Sequence, residues 1–108
     1  MLLLTTTGRR SGRPRTVALL YMPDGDRHVV VGSNGGRAEP PAWLLNIRAQ
    51  PEVEVRVGRR RFHALAEILE GAAREEIWPR LKEHYRGWDH YQTLTDRTIH
   101  PVVLAPRR

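Results

Sequence analysis

An arginine- and glycine-rich segment near the start of the chain offers the chemistry of anion binding. Residues 5–15 read Thr-Thr-Thr-Gly-Arg-Arg-Ser-Gly-Arg-Pro-Arg, with four arginines, two glycines and four hydroxyl groups. A guanidinium group can donate two parallel hydrogen bonds to a carboxylate or phosphate, and glycine lets the backbone approach a ligand closely. The segment therefore predicts a site for an anionic group, although a solvated, charged hairpin would have the same composition.

A second turn-rich segment favours the binding-site interpretation. Residues 32–36 read Gly-Ser-Asn-Gly-Gly, and two prolines lead into Ala-Trp-Leu-Leu-Asn at residues 42–46. Two irregular segments that each follow a strand can line one site. We expect Ser33 to serve as a hydrogen-bond donor, since the G-x-S-x-G pattern of a serine nucleophile is absent.

Several other chemistries fit the sequence poorly. The 108 residues include no cysteine, which excludes disulfides and cysteine nucleophiles. The five histidines lack the spacing of a zinc site, and the glycines at 8 and 12 lack the lysine of a nucleotide-binding P-loop. The net charge of +6 favours an anionic partner. We expect no nucleic acid, because the basic segment holds no aromatic residue that could stack on a base.

The elements that must position these segments predict a mainly β fold. About six antiparallel strands are expected at residues 2–4, 17–22, 28–31, 52–57, 61–70 and 102–104. Asp24-Gly25 predicts a hairpin that makes the second and third strands adjacent. Helices are expected at residues 40–49 and 72–85, the second ended by Gly87. This order indicates a small antiparallel barrel with inserted helices rather than a βαβ sheet.

Three aromatic residues, Tyr85, Trp88 and Tyr91, follow at three-residue intervals. Residues with this spacing are neighbours on a helix. The spacing alone leaves two interpretations open, namely core packing and the wall of a site.

Four blocks of the sequence lie in a fixed order over nearly the whole chain. They read Leu-Leu-Thr-Thr-Thr-Gly-Arg-Arg-Ser-Gly-x-Pro-Arg at residues 3–15, Gly-Ser-x-Gly-Gly at 32–36, Pro-x-Trp-x-x-Asn at 41–46 and Tyr-Gln-x-x-Thr-Asp-Arg-Thr-Ile at 91–99. Together they resemble the deazaflavin-dependent nitroreductase family. The resemblance implies a split β-barrel of the FMN-binding type, one domain over residues 1–108, and an oxidoreductase that uses coenzyme F420.

The resemblance also implies which residues bind the cofactor, whose phosphate and oligoglutamate tail are both anionic. The phosphate and tail are expected at Arg9, Arg10, Ser11 and Arg15. The deazaflavin ring is expected against Thr16, Val17, Ala18, Gly32, Ser33 and Asn34, and the pocket is expected to be completed by Ala42, Trp43 and Asn46.

The same resemblance indicates the substrate side of the site. The expected substrate-binding residues are Leu20, Ser33, Tyr85, Trp88 and Tyr91, and among them Ser33, Tyr85 and Tyr91 are the expected catalytic hydroxyls. The nitroreductase type carries tyrosine where this chain has Leu20 and Trp88. The acceptor is therefore expected to be a small quinone, nitro compound or other conjugated molecule. Family chains commonly have an N-terminal extension over this side, which this sequence is expected to lack.

Alternatives of a different kind remain open from the sequence. FMN could replace F420, and the protein could be a non-catalytic F420 or flavin carrier or a basic binding module. No apolar run approaches the ~20 residues that span a bilayer, so a cytoplasmic location is expected. Peripheral membrane contact and the oligomeric state stay open.

Overall fold

The computed structural model describes residues 1–107, in which seven antiparallel strands form one sheet. The strands are β1 (Leu2–Thr7), β2 (Pro14–Leu19), β3 (Met22–Asp24), β4 (Arg27–Val31), β5 (Glu52–Val57), β6 (Arg60–Ile68) and β7 (Pro101–Pro106). The helices are α1 (Ala42–Ala49), α2 (Gly71–His84) and α3 (Arg86–Thr93). Across the sheet the strands run in the order β2-β1-β5-β6-β7-β4-β3.

The two edge strands of this sheet are consecutive in the chain. Only Leu20 and Tyr21 separate β2 from β3. The three steps from Leu19 to Met22 span at most about 11 Å, so the sheet must curl until its edges lie near each other. The result is the split β-barrel that the resemblance implied, and the mainly β fold class is confirmed.

The closure of the sheet corrects the predicted strand at residues 17–22. The structure divides that segment, because β2 pairs with β1 at one edge while β3 pairs with β4 at the other. The hairpin at Asp24-Gly25 is confirmed for β3 and β4, whereas β2 is not adjacent to β4. Seven strands are present in residues 1–107 rather than about six.

Alternate residues of β4 face two separate cores. Val30 packs inside the barrel with Leu4, Val55 and α1 residues such as Ile47. Its neighbours Val29 and Val31 belong to the second core, which α2 and α3 cover from outside. Successive strand side chains point to opposite faces of a sheet, so one strand serves both cores. The α2 and α3 helices are thereby fixed on the outer face of β4 and β7.

The boundary between α2 and α3 differs from the sequence expectation. The α2 helix ends at His84 because Tyr85 adopts extended backbone (φ −149°, ψ 106°). Gly87 does not end α2, since it lies in the first turn of α3, where a Cβ would run into the Tyr85 ring. Glycine at this position therefore lets Tyr85 fold against α3. Within residues 1–107, no helix is long and apolar enough to cross a membrane.

Candidate functional site

A cavity of about 830 Å³ lies between β2, α1, α3 and the two turn-rich segments. Apart from Gly32, every residue to which the resemblance assigned a site role lines it. Gly32 lies between two lining residues, Val31 and Ser33. The lining also includes six residues to which the resemblance assigned no site role, namely Met1, Gly8, Leu19, Val31, Gly35 and Pro41.

The loop between β1 and β2 (residues 8–13, the cradle loop) is a tight turn that needs its glycines. Gly8 N donates to Arg13 O and Gly12 N donates to Gly8 O, both at 2.8 Å. Gly12 has a left-handed backbone (φ +73°), and a Cβ on Gly8 would lie 2.8 Å from Ser11 Oγ. The backbone therefore folds closely enough to present successive arginines on one side.

The cradle end of the cavity carries unbalanced positive charge. Arg9, Arg10 and Arg15 line it, whereas no lining residue that the structure describes is an Asp or Glu. Arg10 and Arg15 are exposed, and the side chain of neither forms a hydrogen bond or ion pair within residues 1–107. Their guanidinium groups are thus available to an anionic ligand.

A buried asparagine fastens the cradle loop to the barrel. Asn46 on α1 is 3% exposed, and its Oδ1 accepts from Arg9 N at 3.1 Å and from Arg9 Nη1 at 3.0 Å. Its Nδ2 donates to Thr6 Oγ1 on β1 at 3.1 Å. Both polar atoms of the Asn46 amide are therefore engaged with the protein, and the residue acts as a latch between α1, β1 and the cradle loop.

The long wall of the cavity is the edge strand β2. All six residues 15–20 line the cavity, because one edge of this strand is unpaired. The Thr16 hydroxyl is hydrogen-bonded to the Thr5 hydroxyl at 2.8 Å, while Val17, Ala18 and Leu19 contribute apolar surface. Such a flat, largely apolar wall suits one face of a planar ring.

The loop after β4 (residues 32–37, the glycine loop) has a constrained backbone. Asn34, Gly35 and Gly36 all have positive φ, at 46°, 63° and 79°. A Cβ on Gly36 would lie 2.9 Å from both Leu94 Cβ and Tyr91 O, so this position accepts only glycine without a shift. Ser33 is 9% exposed and lines the cavity, and its hydroxyl has no hydrogen-bond partner within residues 1–107.

Tyr85, just before α3, and aromatic residues of α3 close the end of the cavity opposite the cradle loop. Trp88 is 4% exposed, and the Tyr85 ring meets it edge-on with 5.3 Å between ring centroids. The neighbouring Tyr91 hydroxyl raises the pKa of Tyr85 above its ordinary value, chiefly through a hydrogen bond. The shift extends the pH range over which Tyr85 keeps its proton and can donate a hydrogen bond.

Arg97, in the fourth sequence block, contacts the glycine loop from outside the cavity lining. Arg97 belongs to the motif at residues 91–99, and the family resemblance implied no role for it. No group of three or more His, Cys, Asp or Glu side chains in residues 1–107 is placed to hold a metal ion.

Comparison with known proteins places this geometry in one family. The family model described as F420H2-dependent quinone reductase matches residues 1–106. An F420H2-dependent quinone reductase of Mycobacterium tuberculosis is 38% identical over 110 residues, covering 99% of this chain and 73% of that protein. Both findings bear out the expected F420-dependent family, with a description that names quinone rather than nitro substrates.

Solved structures agree with the sequence comparisons. A structure described as an F420-H2 dependent reductase superimposes with a TM-score of 0.85 at 36% identity, covering 95% of this chain and 91% of that one. A second structure, described as a domain-swapped dimer, gives a TM-score of 0.86 at 36% identity over 95% of this chain and 78% of that one. The chain therefore belongs to the F420H2-dependent quinone reductase family.

Proposed function

We propose that this protein is an F420H2-dependent reductase that transfers a hydride to a small quinone. One observation carries the proposal. A single cavity has three arginines and no described carboxylate at one end, an apolar strand along its wall, and the Ser33, Tyr85 and Tyr91 hydroxyls towards the other. Family membership supports the same function, since the family model is described by this activity.

The residues present fit the cofactor that the family requires. Ligand cavities are commonly about 300–1,000 Å³, and this one is about 830 Å³. Its unpaired Arg10 and Arg15 suit a phosphate and an oligoglutamate tail, and the β2 wall suits a deazaflavin ring. The latch between Arg9 and Asn46 gives these two residues a holding role in addition to lining the cavity.

Each part of the site would have a separate task. Reduced F420, when bound, supplies the hydride. Arg10, Ser11 and Arg15 would bind the anionic groups, while residues 16–18 and 32–34 flank the ring and Ala42 and Trp43 complete the pocket. The protein thus contributes binding, orientation and proton donation, as is general for cofactor enzymes.

The hydroxyl end of the cavity would stabilise the charge that develops on the acceptor. Hydride addition to a quinone leaves a negative charge on one oxygen, and a proton then completes the hydroquinone. The free Ser33 hydroxyl can donate a hydrogen bond to that oxygen, and the hydroxyl groups of Tyr85 and Tyr91 would form further donors or walls. Leu20 and Trp88 would bound the acceptor with apolar surface.

A cofactor titration tests the first half of the proposal. We expect F420 to bind at least tenfold more tightly than FMN, a difference of about 1.4 kcal/mol. FMN has a phosphate but no glutamates, so it loses charge-assisted hydrogen bonds that contribute about 1.5–3 kcal/mol each. Equal affinities, followed by cofactor fluorescence or calorimetry, would contradict the assignment of F420.

A turnover measurement tests the second half of the proposal, the transfer of hydride to a quinone. Purified protein with reduced F420 and a quinone such as menadione should oxidise the cofactor much faster than buffer does. Tight binding without turnover, for every quinone and nitro acceptor tried, would replace the enzyme with a cofactor carrier. A chain that binds neither F420 nor FMN would be a basic binding module instead.

The cellular setting of the protein is a further proposal. We expect a cytoplasmic protein that makes peripheral contact with a membrane when its quinone is lipid-soluble. Sedimentation with anionic and with neutral vesicles tests this contact, and absence of binding to both would contradict it.

A further inference from the structure

The side chain of Arg97 is wholly engaged with the backbone of the glycine loop. Its Nε donates to Arg37 O at 3.2 Å, its Nη1 to Gly32 O at 3.1 Å and its Nη2 to Ser33 O at 2.9 Å. All three nitrogens of the guanidinium group therefore bind carbonyl groups of one loop. A planar fork with several donors can do this, whereas the point charge of lysine cannot.

These hydrogen bonds also fix the direction of two amide groups. Within a trans peptide unit, the C=O and the N–H point in opposite directions. Gly32 O and Ser33 N share one unit, and Ser33 O and Asn34 N share the next. Because both carbonyls face Arg97, the Ser33 and Asn34 N–H groups face away from it. Within residues 1–107 neither N–H has a hydrogen-bond partner, and both residues line the cavity.

Arg97 is itself held from two directions. Gln92 Nε2 on α3 donates to Arg97 O at 2.9 Å, and Arg97 N donates to Thr95 Oγ1 at 3.3 Å. Gln92 is fixed in turn, because its Oε1 accepts from Ile99 N at 2.9 Å and from Arg74 Nη2 at 3.0 Å. The orientation of the glycine loop is therefore tied to α3, the helix that carries Trp88 and Tyr91.

Partial burial of the Arg97 guanidinium group costs free energy, because it removes water from a charged group. Partial desolvation lowers the pKa of Arg97, and the charge of Glu39 opposes that effect. No carboxylate forms an ion pair with Arg97 within residues 1–107, so the backbone carbonyls are its main compensation. The guanidinium group is desolvated and binds only one loop. Its presence is therefore better explained by a role in holding that loop than by a contribution to the stability of the whole protein.

We propose that Arg97 is a positioning residue that aims the Ser33 and Asn34 amide N–H groups into the cavity as a pair of donors for the quinone oxygen that becomes negatively charged. The pair lies beside the Ser33 hydroxyl on the same loop, so three donors converge on one region. Donors preorganised for developing charge lower a reaction barrier without reorganising during the step. This inference rests on the proposed quinone reductase function.

The test compares Arg97→Lys with Arg56→Lys. Arg56 also donates from Nε to a loop carbonyl, Gly58 O at 3.1 Å, but Gly58 does not line the cavity, unlike Ser33 and Asn34 in the loop that Arg97 holds. Both substitutions keep the charge and replace the fork. Three quantities are measured for each variant: hydrogen exchange of residues 32–37 in the cofactor-free protein, kcat with menadione at saturating reduced F420, and the Kd of F420.

The expected result for Arg97→Lys is faster exchange in residues 32–37, unchanged exchange in residues 8–13, and a fall in kcat of about 10–100-fold. The Kd of F420 should stay within about threefold, and Arg56→Lys should change none of these quantities by more than that. In a double-mutant cycle, Arg97→Lys and Ser33→Ala should be non-additive in kcat, because the amide N–H groups and the Ser33 hydroxyl lie on one loop and serve the same oxygen. Guanidinium ion added to Arg97→Gly should restore part of kcat.

Two outcomes would overturn the proposal. Unchanged exchange in residues 32–37 would remove the positioning role, whatever the activity. Faster exchange with unchanged kcat, or with weaker F420 binding alone, would remove the assignment to the quinone oxygen. Failure of the proposed function is recognised separately, because the wild-type protein would then bind F420 without turnover while the exchange measurement still decides the positioning role.

Discussion

The two loops that line the cavity are held in different ways. The cradle loop is exposed, projects its arginines from a short turn, and is fastened by one amide side chain, that of Asn46. The glycine loop is half-buried, has three successive residues with positive φ, and is held by Arg97 at three carbonyls. A long anionic tail can be bound by side chains that adjust, whereas a reacting atom requires donors at fixed positions. We infer that the cradle loop sets cofactor affinity and the glycine loop sets the rate.

Charge reversal in the cradle loop and at the start of β2 should give the largest effect. Arg10→Glu with Arg15→Glu removes two charge-assisted contacts worth about 1.5–3 kcal/mol each, so F420 affinity should fall more than about a hundredfold. The melting temperature should stay the same, since both side chains are exposed and without a partner in the described chain. Arg13→Glu with Arg59→Glu is the matched control, because it changes the net charge equally at positions outside the cavity lining. Equal affinity in the two double variants would show that only overall charge matters.

Alanine substitutions at Gly36 and Gly12 compare the packing of the two loops. Both glycines have positive φ, so either substitution costs about 1–2 kcal/mol of backbone strain. Only the Cβ at Gly36 meets other atoms, which adds about 1–3 kcal/mol of overpacking. The unfolding free energy from chemical denaturation should therefore fall further for Gly36→Ala. Equal losses would contradict the distinction between a packed and an open loop.

Removal of the Asn46 latch should weaken stability and cofactor binding without slowing the chemical step. Asn46→Ala leaves Arg9 N and Thr6 Oγ1 without their partner, which should cost about 1–3 kcal/mol of stability. F420 affinity should fall as well, while kcat at saturating cofactor should be preserved. Asn46→Asp keeps an acceptor for Arg9 and should restore most of the affinity. A fall in kcat without a change in Kd would show that the latch serves the chemical step.

The pH dependence of turnover should show the smallest effect. Because the hydrogen bond with Tyr91 raises the pKa of Tyr85 above its ordinary value of about 10, Tyr85 keeps its proton to a higher pH than an ordinary tyrosine does. The contribution of this donor is therefore present below that pKa and is lost as the pH rises through it. Tyr91→Phe removes the hydroxyl that raises the pKa of Tyr85, so the alkaline limb of the kcat profile should move to lower pH. An unmoved limb would exclude Tyr85 as a donor.

The cradle loop was predictable because its signals are local. Arginines, glycines and hydroxyls within eleven residues indicate an anion site, and the strict alternation of residues 52–57 gives β5 its exact bounds. The division of residues 17–22 into β2 and β3 could not be predicted, since it depends on closure of the whole sheet. Gly87 was misassigned as a helix end because its neighbour, the Tyr85 ring, determines its role.

The hold on the glycine loop was not predictable from local sequence. Arg97 binds carbonyls that lie 60 to 65 residues earlier in the chain, and backbone carbonyls carry no signature in the sequence. The motif that contains Arg97 marked the residue without giving its partner. The residues that line the cavity could be predicted from the family resemblance. The hydrogen bonds that hold the two loops could be identified only from the three-dimensional structure.

The kcat of Ser33→Ala at saturating reduced F420 tests most directly the claim that the glycine loop sets the rate. Loss of one donor to developing negative charge costs about 10²–10³ in rate, so menadione reduction should fall by that factor. The Kd of F420 should remain within about threefold of the wild-type value, because Arg10 and Arg15 are untouched. A variant that turns over at the wild-type rate, or that loses F420 affinity and nothing else, would contradict the account.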